Sequence, residues 1–302
     1  MEGYSKARVL LMSGYGINCE RETAHAFDLA RFSSEDLSDV GGHELVRSLP
    51  EKDRSKIVHI NDVIADPRHI RECDILVWPG GFSMGDDTGS GLAFAHYARD
   101  NLDDEFAAFV ERDTLSLGVC NGFQSMTHLG FFPFAGQDYF TPEAVNTALA
   151  HNDSARYIDR WVLLKRSSAG ADCVWTQGLD DKGAMPIPIA HGEGKFIWKD
   201  QGACVGLMAN AMVQVRYVDE AGKTDDRLEV RANPNGSWES IAGISDPTGR
   251  FLGMMPHPER AIYTCQHPLY TKMREIADRA GKELPTHTAW LKLFQNAVRY
   301  FD

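Results

Sequence analysis

Leu117-Gly118-Val119-Cys120-Asn121-Gly122-Phe123-Gln124 is the stretch on which the reading of this chain turns. The apolar run from Leu115 to Val119 predicts a buried strand, and Gln124 to Leu129 predicts a helix. Between them stands Gly-x-Cys-x-Gly, the strand–turn–helix pattern of a nucleophile elbow with sulfur in place of a hydroxyl. A nucleophile at the tip of so sharp a turn needs neighbours without Cβ atoms, so that backbone can approach backbone and substrate can approach sulfur. A buried structural cysteine beside an ordinary loop can carry the same local sequence, so the rest of the chain has to decide.

Upstream, Arg8 to Met12 predicts a strand ending in Ser13-Gly14-Tyr15-Gly16, with Asn18 placed to cap a helix from about Cys19 to Ala30. Ile57 to Ile60 and Asp74 to Trp78 predict two more strands, the second running straight into Pro79-Gly80-Gly81. A helix over Leu102 to Arg112 leads back to the Cys120 strand. The loop from Phe82 to Gly91 is rich in Gly, Ser and Asp but lacks the Gly-Lys-Ser/Thr of a phosphate loop. Strands alternating with helices predict an α/β fold: an open, mostly parallel sheet flanked by helices.

Beyond Phe134 the texture changes. Arg160 to Leu164, Met185 to Ile189 and Val213 to Val218 read as strands without long helices between them, either added to the sheet or forming an antiparallel subdomain. Ile241 to Ile244 and Phe251 to Met255 read as a hairpin about Asp246-Pro247-Thr248-Gly249. An amphipathic helix over Ala289 to Tyr300 closes the chain. With no repeat or linker, residues 1–302 read as a single domain with polar surface elaborations near 33–56, 138–153 and 263–285.

The 43 acidic and 31 basic residues give a net charge of −12, which argues against nucleic acid or an anionic membrane as the main partner. No apolar run has the length of a membrane span, and the N-terminus has no signal-peptide pattern. The six cysteines are scattered and none forms Cys-x-x-Cys, so a zinc knuckle or disulfide framework is not expected. A reducing cytoplasm is the expected home and no metal site is expected.

The hairpin runs into Met255-Pro256-His257-Pro258-Glu259. Proline biases the residue before it toward extended backbone, and alternate side chains of an extended segment project the same way. His257 and Glu259 are therefore spaced for a carboxylate to hold one imidazole nitrogen while the other meets a thiol. A Pro-rich surface turn would look the same in isolation. His191 and Glu193, in His191-Gly192-Glu193-Gly194-Lys195-Phe196, read as a glycine-bearing loop with candidate site residues.

Together the Cys120 elbow, the Pro79-Gly80-Gly81 loop and the His-x-Glu pair resemble the class I (triad) glutamine amidotransferases, whose sheet is flavodoxin-like. The segments Gly16 to Glu20, Gly80 to Asp87, His191 to Phe196, Asn233 to Ser237 and Met254 to Arg260 narrow the resemblance to the glutaminase components of phosphoribosylformylglycinamidine synthase. It spans nearly the whole chain, from about Val9 to Phe301.

That resemblance implies Cys120 as nucleophile, His257 as its base and Glu259 as the group orienting the base. It implies backbone donors at Gly81 and Asn121 for the oxyanion, and Gly80, Gln124, His191 and Glu193 around the substrate glutamine. The chain has no ATP motif of its own, so ATP and magnesium are expected on a synthetase partner, with a small bridging subunit beside it. The starting Met and the terminal helix suggest a free-standing subunit. A stand-alone Cys hydrolase of the γ-glutamyl peptidase type, or a non-catalytic regulatory module, would be alternatives on the same fold.

Overall fold

Ile75–Trp78 and Leu115–Val119 are buried at every residue, as strands covered on both faces must be. The computed structural model of the protein describes residues 4–39, 42–86, 88–132, 147–168, 172–198, 211–224 and 232–302. In chain order these hold β1 (Val9–Ser13), α1 (Glu20–Ala30), α2 (Ser34–Asp39), α3 (Gly42–Ser48), β2 (Lys56–His59), α4 (Ile60–Ala65), α5 (Arg68–Glu72), β3 (Ile75–Trp78), α6 (Leu92–Glu111), β4 (Leu115–Val119) and α7 (Asn121–Leu129). The second half holds β5 (Thr147–His151), β6 (Ile158–Arg166), β7 (Met185–His191), β8 (Glu193–Trp198), β9 (Val213–Val218), β10 (Ile241–Ser245), β11 (Phe251–Met254), α8 (Tyr270–Arg279) and α9 (Leu291–Arg299).

Nine of these strands form one sheet in the order β2-β1-β3-β4-β11-β10-β9-β6-β7. From β2 to β11 every neighbour is parallel, and from β11 to β7 every neighbour is antiparallel. The added strands thus extend the sheet rather than form a subdomain of their own. The hairpin expected about Asp246 is β10–β11, and Asp246 accepts from the backbone N–H groups of Thr248 (3.0 Å) and Phe251 (2.8 Å). Not foreseen is a separate two-stranded sheet of β5 and β8.

Three helix starts differ from the sequence reading, and one of them is α7, which begins at Asn121 directly after Cys120 rather than at Gln124. The helix expected from Leu102 starts at Leu92, because Phe94, Ala95 and Ala98 pack into the core and carry it ten residues upstream; Leu102 marks a break at φ −136°. Asn18 does not cap α1. The N–H groups of Asn18 and Cys19 both donate to the Gly80 carbonyl (3.2 and 3.1 Å), so Cys19 becomes the residue preceding the helix. The elaboration near 33–56 contains α2 and α3, and that near 263–285 contains α8, no residue of which is buried. Most of 138–153 lies outside the described residues, as does Cys204.

Parallel pairing brings the C-terminal ends of β1, β3, β4 and β11 to one edge of the sheet, the place where open α/β sheets carry their sites. The turn after β4 depends on Gly122. A Cβ there would lie 1.7 Å from the Trp78 carbonyl oxygen at the end of β3. Gly122→Ala should therefore cost about 3 kcal/mol, seen as a fall of roughly 5 to 10 °C in the thermal midpoint. An unchanged midpoint would show that α7 does not need this close approach.

Candidate active site

Cys120 sits between the last residue of β4 and the first of α7 with φ 52° and ψ −111°, left-handed geometry that a non-glycine residue adopts only when its surroundings impose it. Three things impose it. The Cys120 N–H donates to the Met254 carbonyl at the end of β11 (2.8 Å). Glycines on either side let α7 lie against β3 and β4. At its far end α7 is stopped by Gly130 in the left-handed region, with Phe131 N–H returning to Met126 O (3.0 Å). The thiol is thereby held at a helix N-terminus, with its Sγ 3.5 Å from the Ala190 carbonyl oxygen.

His257 reaches Cys120 from β11. Its backbone N–H donates to the Pro188 carbonyl of β7 (2.9 Å), which fixes the extended segment after Met254. Its Nδ1 lies 2.6 Å from Glu259 Oε1, and both side chains are buried. With Nδ1 donating to the carboxylate, Nε2 is the lone-pair nitrogen left for a thiol proton. Burial disfavours the imidazolium, but the charges of Glu259 and Cys120 outweigh it and hold the His257 pKa well above the ordinary range.

Gly80 is the gap about which these groups close. A Cβ on it would lie 2.8 Å from His257 Cε1, 3.2 Å from Cys19 Sγ and 3.4 Å from Cys120 Cβ. Next to it, Gly81 bridges to Ile17, and the hydrogen bonds of that bridge are made by its neighbours: Phe82 N–H to Gly16 O (2.8 Å) and Asn18 N–H to Gly80 O (3.2 Å). In such a pair the central residue's own N–H points away from the facing segment. A cavity of about 390 Å³ opens here, lined by Asn18, Cys19, Gly81, Phe82, Cys120 and His257, with Glu22, Tyr157, Asp159, Ala190 and Arg260 completing the wall.

The other expected residues lie behind the nucleophile rather than in this wall. Gln124 Nε2 donates to the Glu193 carbonyl, and its Oε1 accepts from Asn121 Nδ2 (3.2 Å). Asn121 Nδ2 also donates to Asp86 (3.0 Å), a residue whose carboxyl is raised by burial. Asp86 is therefore turned toward the elbow; Asp87 lies outside the described residues. Glu193 accepts from Ser90 N–H (3.1 Å). His191, read from sequence as a loop residue, ends β7 and is buried, with Nδ1 3.0 Å from Asn152 Oδ1. Asn235 and Ser237 brace β8 through Gly194 O (2.7 Å from Asn235 Nδ2) and Phe196 N–H (3.0 Å from Ser237 Oγ).

Cys19 was not singled out by sequence reasoning. Its Sγ is 4.0 Å from His257 Nδ1, and burial raises its thiol pKa against the pull of the imidazole. Cys19 Sγ, His257 Nδ1 and a Glu259 oxygen lie within 4.8 Å of one another, close enough to hold a cation among the described residues. Two of those three atoms are already joined to each other by the 2.6 Å hydrogen bond. Its only sequence signal was membership of the Gly16 to Glu20 segment. Among the described residues no helix is long and apolar enough to cross a membrane.

Comparison with known proteins points the same way. The sequence family described as a CobB/CobQ-like glutamine amidotransferase domain matches residues 6–301. The chain is 42% identical over 296 residues to phosphoribosylformylglycinamidine synthase subunit PurQ of Methanococcus maripaludis, covering 98% of this chain and 97% of that one. It is 30% identical over 296 residues to phosphoribosylformylglycinamidine synthase of Drosophila melanogaster, covering 97% of this chain and 19% of that longer protein. A chain in the structure of PurLQS from Thermotoga maritima superposes with a TM-score of 0.62 at 26% identity, over 98% of this chain and 100% of that chain.

Two measurements follow from the electrostatics. Glu259→Gln removes the charge that raises His257, so iodoacetamide modification of Cys120 at neutral pH, read by peptide mapping, should slow about 10-fold or more. Retention of the wild-type rate would separate the thiol from the pair. His191 behaves oppositely: burial, with His257 nearby, pushes it down to about 3. An unfolded histidine takes up its proton near pH 6.5 while the folded one stays neutral. Stability should therefore fall on acidification from about pH 6.5 toward 3, by up to about 1.4 kcal/mol per pH unit. His257 adds no slope there, since its raised pKa leaves both states protonated; its stabilisation is lost only as pH rises through the folded value. Urea unfolding of wild type and His191→Asn between pH 7 and 5 checks this, the variant losing the excess slope.

Proposed function

Because the chain belongs to the CobB/CobQ-like glutamine amidotransferase family, we propose that it is the glutaminase subunit of a phosphoribosylformylglycinamidine synthase. The observation that carries the chemistry is the buried His257–Glu259 pair, with Nδ1 and Oε1 2.6 Å apart, closing on a cysteine in a strained elbow.

In this reading the Cys120 thiolate adds to the side-chain carboxamide carbon of glutamine. The oxyanion that forms is met by the N–H groups of Gly81, which points away from its bridge partner, and of Asn121, first residue of α7. The His257 imidazolium gives its proton to the departing nitrogen as the carbon–nitrogen bond breaks, releasing ammonia and leaving a glutamyl thioester. Neutral His257 then takes a proton from water as its oxygen attacks the thioester. Collapse releases glutamate and restores the thiolate–imidazolium couple. Glu259 keeps the imidazole in one tautomer throughout.

Gly80 leaves room beside the thiol, because a Cβ there would strike the His257 ring and crowd the Cys19 sulfur. Gln124, Glu193 and His191 act from behind, holding the elbow and the end of β7 in register for the substrate. The ammonia passes to an ATP- and magnesium-dependent synthetase partner that converts formylglycinamide ribonucleotide to formylglycinamidine ribonucleotide in purine synthesis. A small bridging subunit fits the three-part PurLQS assembly of the Thermotoga relative. The cytoplasm, where purine nucleotides are made, is the compartment this assigns, and one domain spanning residues 1–302 fits the single nine-stranded sheet.

Cys120→Ala should abolish ammonia release from glutamine, a loss of at least about 1,000-fold, while circular dichroism and the thermal midpoint stay near wild type. A glutamine analogue bearing an electrophilic diazoketone should label Cys120 and spare Cys19, although both line the cavity. Hydrolysis at the wild-type rate by the alanine variant would refute the mechanism.

A further inference from the structure

The groups assigned so far handle one end of glutamine. Its other end carries an ammonium and a carboxylate, and a site that strips their water must return charge and hydrogen bonds. Glu22 apart, the wall of the cavity beside Cys120 carries both signs of charge, from Arg260 and Asp159. Among the described residues neither side chain makes a hydrogen bond or ion pair within the chain. A cation and an anion share one cavity and have not neutralised each other.

Both are fixed to the backbone that positions the nucleophile. Asp159 of β6 stands opposite Ala190 of β7, and the Ala190 carbonyl oxygen is the atom 3.5 Å from Cys120 Sγ. Arg260 ends the short turn Pro258–Arg260 that carries Glu259, and its N–H donates to the His257 carbonyl (3.3 Å). The rings of Phe82 and Tyr157, with centroids 5.9 Å apart, supply apolar wall between solvent and thiol. A glutamine whose amide carbon meets Sγ has its α-carbon three bonds away, within the same cavity.

We infer that Arg260 and Asp159 are substrate-specificity residues that bind the α-carboxylate and the α-ammonium of glutamine. This rests on the glutaminase reading above. The guanidinium offers a planar fork suited to a carboxylate, and the aspartate accepts from the ammonium. The pair selects the free amino acid over a glutaminyl residue within a peptide, whose α-groups are neutral amides. Fixing the α-end also aims the carboxamide at the sulfur, so part of the binding free energy goes into orientation.

The test uses the assembled enzyme and three amides: glutamine, γ-aminobutyramide, which lacks the α-carboxylate, and glutaramate, which lacks the α-ammonium. The slow analogues are followed as competitive inhibitors where turnover is weak. Arg260→Gln should raise KM for glutamine about 10- to 100-fold with a smaller change in kcat, and leave the constant for γ-aminobutyramide unaltered. Asp159→Asn should do the same with glutaramate as the indifferent compound. Equal losses on all three amides, or no loss on glutamine, overturn the inference. So does a loss that tracks dissociation of the complex on size exclusion, which assigns the charges to a partner contact instead. Wild-type complex that releases no ammonia from glutamine is a different failure, that of the glutaminase reading itself.

Discussion

The backbone of Cys120 is held at φ 52° between strands on either side of β4, and every other element of the site answers to that constraint. One side supplies Trp78, whose carbonyl leaves room only for Gly122. The other supplies Met254, whose carbonyl receives the Cys120 N–H. A sulfur placed in this way cannot relax into the sheet, because relaxing would cost the pairing on both flanks. The left-handed turn is also what starts α7 at once, and so points the positive end of the helix dipole at the sulfur.

The charge arrangement follows from the same packing. His257 is buried deeply enough that an isolated imidazolium would be disfavoured, yet the charge of Glu259, 2.6 Å from its Nδ1, and the nearby Cys120 raise its pKa well above the ordinary range. Its neighbour His191 is buried too, has only the Asn152 amide for company at Nδ1, and stays neutral. Two histidines a short way apart thus take opposite charge states because one has carboxylate support and the other has not. That difference sets the two apart: His257 is the histidine with carboxylate support, and His191 a neutral one at the end of β7.

Much of this could be read from sequence, and the limits have physical causes. The elbow, the parallel strands about it and the β10–β11 hairpin are local patterns of glycine, apolar run and turn residue, and each stands where expected. His257 and Glu259 were legible as a pair from their spacing in a Pro-flanked segment, although Glu259 meets the imidazole from a short 3-10 turn rather than from the extended backbone expected. The β5–β8 sheet was not legible, since its strands are distant in sequence and no turn signal links them. Cys19, Arg260 and Asp159 escaped for a related reason: none has a local pattern, and their common cavity exists only when β1, β6 and β11 lie at one edge. The start of α6 was hidden by the glycine-rich loop, and its true boundary follows from the burial of Phe94.

The β4–β11 pairing joins parts of the chain that are made at very different times. Synthesis proceeds from the N-terminus, so the segment bearing the thiol leaves the ribosome while His257 and Glu259 have yet to be polymerised. Until β11 takes its place beside β4, Cys120 lacks the hydrogen bond to Met254, the imidazole and the carboxylate, and remains an ordinary cysteine. A chain cut short before β11 would hold the thiol without its backbone tether to Met254, the imidazole or the carboxylate.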